Sequence, residues 1–393
     1  MLNVQKIIAL FLVLLVTGSY GWSQEVYSTS GANAITSAVP FLSIAPDSRG
    51  GAMGDAGVAT SPDVNSQHWN SSKYAFVDGE AGVSVSYIPW LRELVGDMNI
   101  AYLSGYYRLD DQQVFSGSMR FFTYGDINLT DASGAPLSSV SPNELALDFG
   151  YSLKLSDNWS GGVVGRYIRS DFGISGDYQA ANAVAADVSF YYQNGWKQRG
   201  QRNQIAWGVN LSNIGTKVSY DGGNTKDFLP MNFRTGVAYS VEPDKYNKFT
   251  VTVDMNKLLV PTPDTTITAQ NGSSYGSGLG NAADQSVVGS IFKSWTDAPG
   301  GFEEELQEIA WSLGAEYWYN KQFALRAGYF YENPNKGNRQ YMTVGAGLQM
   351  NVFGLDFSYM IPTATNNNAL GNTLRFSLLF DFEAFSKQGR RRR

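Results

Sequence analysis

The chain is 393 residues long, carries a formal net charge of −6 and contains no cysteine. The lack of cysteine excludes a lipoprotein anchor, a disulfide, a thiol nucleophile and a cysteine-ligated metal. The negative charge argues against a nucleic-acid partner, which would call for a basic face. Charged residues make up only 16%, whereas aromatic residues reach 14% and glycine numbers 42. This composition favours strands that meet lipid and carry aromatic girdles.

Residues 1–24 have the layout of a secretory signal peptide. Lys6 gives a positive start, residues 7–16 are an unbroken apolar run, and small residues follow. The run is about half the ~20 residues that a membrane-spanning helix needs, so a permanent anchor is disfavoured. We predict cleavage between Gly21 and Glu25 and export of the remaining chain.

From Gly82 onward, apolar and polar residues alternate, as they do in residues 149–155, 205–211 and 374–382. A period of two gives strands with one apolar and one polar face. About fourteen strands are predicted, each near the ~10 residues that a tilted transmembrane strand requires. They centre on residues 82–88, 98–108, 112–123, 144–155, 159–170, 183–193, 203–213, 232–242, 248–258, 308–318, 322–333, 339–350, 354–362 and 371–382.

The predicted fold class is all-β, with residues 82–385 forming an antiparallel transmembrane β-barrel. After the signal, no apolar run reaches the length of a transmembrane helix, so a membrane-spanning chain would have to be a closed barrel. A soluble β-sandwich or propeller also alternates, but no blade-length repeat is found. Residues 386–393 form a basic tail, which is predicted to be a solvated end.

The links between predicted strands differ in length. Even-to-odd links are short, whereas odd-to-even links are mostly long, with residues 334–338 as an exception. Outer-membrane barrels have short periplasmic turns and long extracellular loops. The asymmetry therefore predicts an outer-membrane protein, in contact with lipid, with both chain ends in the periplasm.

Residues 25–81 contain no convincing strand and are rich in small residues, with apolar residues such as Phe41, Trp69 and Tyr74 between them. A barrel of fourteen strands would otherwise have an open interior. We predict that this segment is a plug inside the barrel. A disordered periplasmic tail is the alternative, and the large apolar residues argue against it.

The sequence offers little for catalysis, and no catalytic, cofactor or metal site is predicted. His68 is the only histidine; a packed or hydrogen-bonded role is favoured over a Ser-His pair of a phospholipase. Charged residues of both signs fall on the inward face of the strands. They predict either an ionic network that braces the lumen or a selective pore. They are Arg166, Arg234, Glu316, Arg326, Asp356, Arg375 and Asp381.

The link 259–307 is far longer than a hairpin needs, and loops of such length are usually functional or disordered. Residues 287–295 have near-helical apolar spacing, and residues 302–309 could form a second short helix. Two interpretations remain equal: a partner-binding surface, or a lid folded over the barrel mouth. The candidate partner-binding residues are Val287, Val288, Ile291, Phe292, Trp295 and Phe302.

Several stretches resemble the PorV family of the Bacteroidetes type IX secretion system: residues 45–57, 59–63, 68–70 and 294–306. The resemblance implies a fourteen-strand barrel similar to the FadL fatty-acid transporters. It also implies a non-enzymatic role in which the protein binds C-terminal secretion domains of cargo at the translocon barrel. The cargo would then pass to the cell-surface attachment complex with its sortase-like enzyme.

Three functional hypotheses follow. The first is this cargo-binding and shuttle role; the second is a FadL-like transporter of hydrophobic small molecules; the third is a phospholipase that uses His68. The size of the 259–307 loop favours the first, because it offers a large surface to a protein partner.

Overall fold

The computed structural model describes residues 34–91, 96–131, 133–173, 179–262, 285–363 and 373–382. The predicted signal peptide and basic tail lie outside the described residues, as do residues 263–284 of the long loop. Among the described residues, no helix is long and apolar enough to cross a membrane.

Sixteen strands are described. They are β1 (Ala81–Pro89), β2 (Asn99–Arg108), β3 (Gln113–Thr123), β4 (Ile127–Thr130), β5 (Pro136–Val140), β6 (Asn143–Lys154), β7 (Trp159–Asp171), β8 (Ala181–Gln198), β9 (Gln201–Gly215), β10 (Asn232–Glu242), β11 (Asn247–Leu258), β12 (Ala310–Tyr319), β13 (Phe323–Tyr331), β14 (Gln340–Met350), β15 (Phe353–Pro362) and β16 (Leu374–Asp381).

Fourteen of these strands form one closed antiparallel barrel, in which each strand pairs with its neighbours in the chain and β1 pairs with β16. The predicted fourteen-stranded β-barrel is confirmed. β4 and β5 are a separate hairpin between β3 and β6. The sequence predicts no strand in that connection, because strands of four and five residues are too short to display a period.

The barrel wall has its apolar face outward. In β7, Val163 and Tyr167 are exposed, whereas Ser160 and Arg166 point inward and are buried. Outward apolar side chains suit a lipid environment, and the inward polar ones require partners in the lumen.

β8 and β9 extend beyond the predicted bounds and meet at a two-residue turn. Arg199 and Gly200 both have positive φ, at 50° and 80°. Positive φ at both central residues is the geometry of a type I′ turn, whose twist matches that of the flanking strands. Residues 194–202 escaped detection because they are almost all polar and have no alternation.

Residues 34–80, the inner segment, lie inside the barrel. The Ser48 backbone N–H donates to Ser377 Oγ of β16 at 2.9 Å, and the Gly57 N–H donates to Asp254 Oδ2 of β11 at 2.7 Å. Ser152 Oγ of β6 donates to the Ser71 carbonyl at 2.7 Å. Because β6, β11 and β16 are on different sides of the barrel, a segment that contacts all three must occupy the lumen.

The inner segment is compact because its small residues allow close approach. Its helical turns are Pro40–Ser43, Ser48–Gly51, Ser66–Trp69 and Ser71–Phe76. A Cβ on Gly57 would come within 2.3 Å of the Trp69 ring, and one on Gly54 within 2.6 Å of the Tyr329 backbone. Gly54 also has a φ of 68°, which favours glycine. Packing thus accounts for the glycines at positions 54 and 57.

The two described ends of the chain lie at opposite ends of the barrel. The Ala38 N–H donates to the Phe228 carbonyl at 2.9 Å, at the end that carries the long loops. The Phe382 N–H donates to the Ala81 carbonyl at 3.1 Å, at the end with the short turns. The inner segment therefore enters from the long-loop end. Both chain ends are predicted to lie on the periplasmic side; because residues 25–33 lie outside the described part, this stays a prediction.

Candidate partner-binding loop and barrel interior

Two short helices follow β11 in the long loop. The first is Val287–Lys293, and the Ser286 side chain caps it by accepting a hydrogen bond from the Gly289 N–H at 3.0 Å. The second is Phe302–Gln307, with three glutamates in its first turn, where the helix dipole favours negative charge. Both lie where the apolar spacing predicted helices.

One face of the first helix packs against the barrel. Val287 and Ile291 contact the apolar cluster at the long-loop end, and Trp295 meets the Phe233 ring edge-on at 5.5 Å. The buried members of that cluster are Phe228, Met231, Leu259 and Val260. This contact fixes the helix on the barrel rim.

The opposite face is exposed. Val288 and Phe292 are 64% and 73% exposed, and Phe302 and Leu306 are 77% and 51% exposed. Each pair is four residues apart, so it forms one stripe on its helix. We call these four side chains the loop surface. The six candidates thus divide: Val288, Phe292 and Phe302 face outward, whereas Val287, Ile291 and much of Trp295 face the barrel.

Leu306 is not among the six residues predicted from the sequence. Its spacing of four from Phe302 was the available signal. The glutamates at 303–305 separate the two apolar residues in the sequence.

A buried ionic cluster, the hub, attaches the second helix to the barrel. Lys257 Nζ of β11 lies 2.8 Å from Glu305 Oε2 and 2.6 Å from Glu308 Oε2. Lys336 Nζ lies 3.0 Å from Glu308 Oε1 and also contacts Glu304. Lys257, Glu308 and Lys336 are almost completely buried, so each charge depends on its partners for stability.

Carboxylate oxygens of Asp297, Glu305 and Glu308 lie within 4.8 Å of one another, a spacing that could hold a metal ion. Burial raises the pKa of the Asp297 carboxyl above its usual range, and the two glutamates add to that shift. The ammonium group of Lys257 already bridges both glutamates, and Thr262 Oγ1 donates to Glu308 Oε1 at 2.8 Å. We therefore assign the cluster a structural role in holding the loop.

Replacing Lys257 by glutamine is expected to loosen the loop helices, because it leaves the buried Glu305 without its counter-ion and Glu308 with Lys336 alone. Trypsin should then cleave after Lys293, which is exposed on the first helix, at least about tenfold faster. Lys226→Gln, at an exposed position, is the matched control and should leave the rate unchanged. Equal cleavage rates in the two variants would contradict the claim that the hub holds the loop helices on the barrel.

A chain of buried charges connects the inner segment to the wall. Arg49 lies 2.8 Å from Asp63 and 2.9 Å from Glu316 of β12. Glu316 lies 2.8 Å from Arg326 of β13, which lies 2.6 Å from Asp356 of β15. Alternating signs along this chain leave no member unpaired, as a bracing network requires. The predicted ionic network is confirmed here, and it involves the inner segment directly.

Further inward charges are also compensated. Arg166 of β7 lies 2.6 Å from Asp148 and 3.0 Å from Asp187. The Arg234 guanidinium stacks over the Trp69 ring at 4.7 Å, a favourable cation–π distance. Together with the chain through Glu316, these contacts connect polar and charged side chains across the barrel interior.

A cavity of about 660 Å³ lies above this core, at the long-loop end. Its walls include apolar side chains from the loop ends and strand ends, and Trp69 and His68 of the inner segment also line it. The principal apolar ones are Trp90, Met98, Phe122, Phe330 and Met360. The cavity ends at the inner segment.

The sequence matches the model of a family described as "Type IX secretion system protein PorV" over residues 27–265. That match covers more than half of the chain. The protein belongs to the PorV family. It is therefore an outer-membrane component of type IX secretion.

Solved structures resemble this PorV-family barrel at low identity. A Pseudomonas aeruginosa FadL homologue is 11% identical, with 89% of this chain and all of the other covered, at a TM-score of 0.43. The Pseudomonas putida toluene transporter TodX is 12% identical over 84% of this chain and 95% of that one, at 0.42. The Ralstonia pickettii toluene transporter TbuX is 10% identical over 86% and 96%, at 0.41. No curated protein sequence gives a significant match.

His68 of this PorV-family chain is held inside the barrel. Its Nδ1 lies 2.8 Å from Arg120 Nη2, and its ring meets Trp69 edge-on at 4.8 Å. Since guanidinium can only donate, Nδ1 is the acceptor and the proton is on Nε2. Nε2 is buried without a hydrogen-bond partner in the described structure, so no Ser-His pair forms there. This geometry does not support the phospholipase hypothesis.

Proposed function

We propose that this PorV-family barrel is a non-enzymatic docking platform for secreted cargo. Its loop surface binds the C-terminal secretion domain of cargo as it leaves the translocon barrel, and the complex then meets the sortase-like attachment machinery. The observation that carries this proposal is the loop surface itself: four large apolar side chains exposed on two helices beyond the barrel wall. Large apolar side chains exposed together on a loop favour a protein partner.

The attachment of the two loop helices to the barrel supports the same role. The first helix packs on apolar residues at the barrel rim, and the second is attached through the hub. A surface that is already ordered loses less conformational entropy when a partner binds. The helices are therefore suited to recognition.

A photo-cross-linking amino acid at Phe292 tests the proposal in cells. We expect cross-links to cargo or to the translocon barrel, identified by mass spectrometry. Leu137, which is 67% exposed on the β4–β5 hairpin, provides a matched position. Cross-links of equal yield and identity from both positions would argue against a specific loop surface.

We further propose that the long loops face the cell exterior and the short turns face the periplasm. The absence of native cysteine permits a clean labelling test. Ala34→Cys and Leu137→Cys should react with an impermeant maleimide on intact cells. Asp157→Cys, in a short turn, should react only after the outer membrane is permeabilised. The reverse pattern would invert the orientation.

Transport of hydrophobic small molecules is a second candidate, favoured by the 660 Å³ cavity and the apolar part of its walls; charged side chains such as Arg166, Arg234 and Arg375 line the rest. Passage would require the inner segment to move. Ser71 and Ser189 have hydroxyl oxygens 3.0 Å apart, so cysteines there should form a disulfide that fixes this segment to β8. Transport should stop in this variant and return on reduction, whereas cargo binding should be unaffected.

A further inference from the structure

The hairpin at the tip of β8 and β9, residues 193–203, lies at the opposite end of the barrel from the loop surface. We call it the basic hairpin. Lys197, Arg199 and Arg202 are all exposed, and residues 193–203 contain no acidic residue. Three other short turns carry acidic residues, at Asp110–Asp111, Asp157 and Asp244. The basic hairpin is thus a local positive site on a chain of net charge −6.

The cations of the basic hairpin have little compensation. Lys197 and Arg202 are paired directly across the two strands. Like charges in that arrangement destabilise a hairpin. The Arg202 side chain is 69% exposed, and the carboxylate of Glu242 lies 4.0 Å from it. An added anion would relieve this repulsion.

The same hairpin has a free backbone edge. β7 pairs with β8 only as far as Tyr192, and the last contact on that side is the Gln193 N–H donating to the Asn158 carbonyl at 2.9 Å. Residues 194–198 pair with β9 alone. Since N–H and C=O groups of alternate residues point the same way, those of Gly195 and Lys197 face the open edge. Such an edge is a template for an added strand.

The orientation of the side chains favours a protein segment over lipid. Trp196 points to the outer face and packs near Tyr239, at 6.4 Å between rings. Lys197 and Arg202 lie on the opposite face of their strands and point to the barrel axis. Lipid headgroups would approach the Trp196 face, whereas a chain beneath the barrel opening would meet the cations.

We propose that the basic hairpin binds an extended acidic segment of a partner protein. The segment adds as a strand beside residues 194–198, and its alternate carboxylates face Lys197 and Arg202. The type I′ turn at Arg199 and Gly200 holds the edge in place before binding. This site is independent of the loop surface and would give the barrel a second partner at its short-turn end.

Two fluorescein-labelled decapeptides test the inference on the full-length barrel in nanodiscs. One alternates glutamate with threonine, and the other alternates lysine with threonine. We expect the glutamate peptide to bind at least about tenfold more tightly by fluorescence anisotropy, with an affinity that falls as salt rises. Equal binding of the two peptides, or no binding of the glutamate peptide, would overturn the proposal without any variant.

Variants separate the contribution of the cations to peptide binding from that of the free backbone edge. Lys197→Glu with Arg202→Glu should weaken binding of the glutamate peptide by at least about tenfold. Lys245→Glu with Lys321→Glu, in other short turns, should change the affinity by less than about threefold.

The edge is tested by a proline. Gly195→Pro removes one edge N–H and should abolish binding of the glutamate peptide. Gly195→Ala is its control, since a Cβ there lies 3.7 Å from the nearest atom. A difference in gel mobility between unboiled and boiled samples confirms that each variant is folded. Binding retained by Gly195→Pro, or by the double charge reversal, refutes strand addition to this edge.

Discussion

Replacing both Phe292 and Phe302 by aspartate is expected to reduce co-purifying cargo and translocon by at least about tenfold. Large apolar side chains at the centre of an interface commonly contribute about 2 kcal/mol or more, and each 1.4 kcal/mol is a factor of ten in affinity. Aspartate would add the cost of desolvating a charge. The measurement is quantitative mass spectrometry of proteins that co-purify with the barrel from native outer membranes.

The control for this experiment is the pair Ile127→Asp and Leu137→Asp on the β4–β5 hairpin. These residues are also exposed apolar side chains at the long-loop end. The substitutions therefore match in charge and setting. If both pairs reduce co-purification equally, or if neither does, the loop surface is not the docking site. Point substitutions are preferable to deleting residues 287–306, since deletion would leave Lys257 buried without Glu305.

Replacing Glu316 by glutamine is expected to destabilise the barrel by about 3–5 kcal/mol, the usual cost of removing one partner from a buried ion pair. The substitution preserves shape but leaves Arg49 and Arg326 without the carboxylate that they share. Arg49 belongs to the inner segment, so this segment should also loosen. Urea unfolding of the refolded barrel, followed by gel mobility, measures the change.

Asp157→Asn is the matched control for this prediction. Asp157 also forms an ion pair, with Lys154 at 3.3 Å, but its side chain is 98% exposed. An exposed pair contributes about 0–1 kcal/mol, because water screens the charges and the side chains lose entropy. Equal stability of the two variants would show that burial of the Glu316 chain does not matter.

The local pattern of the sequence determined the number and type of the barrel strands. Each strand must alternate because lipid lies on one side and a polar lumen on the other, so even a single strand such as 374–382 carries the signal. The helical spacing of residues 287–295 and 302–309 was visible for the same reason. The inward charges could be recognised as a network, although their partners could not be named.

Only the tertiary structure decided which residues meet. Arg49 and Glu316 are 267 positions apart, and Lys257 of β11 meets Glu305 and Glu308 across the undescribed part of the loop. Closure of the barrel creates these contacts, and no local period encodes them. The same holds for the division of the loop candidates. The sequence shows that Ile291 and Phe292 are apolar, but only the barrel rim beneath the helix covers part of Ile291 and leaves Phe292 exposed.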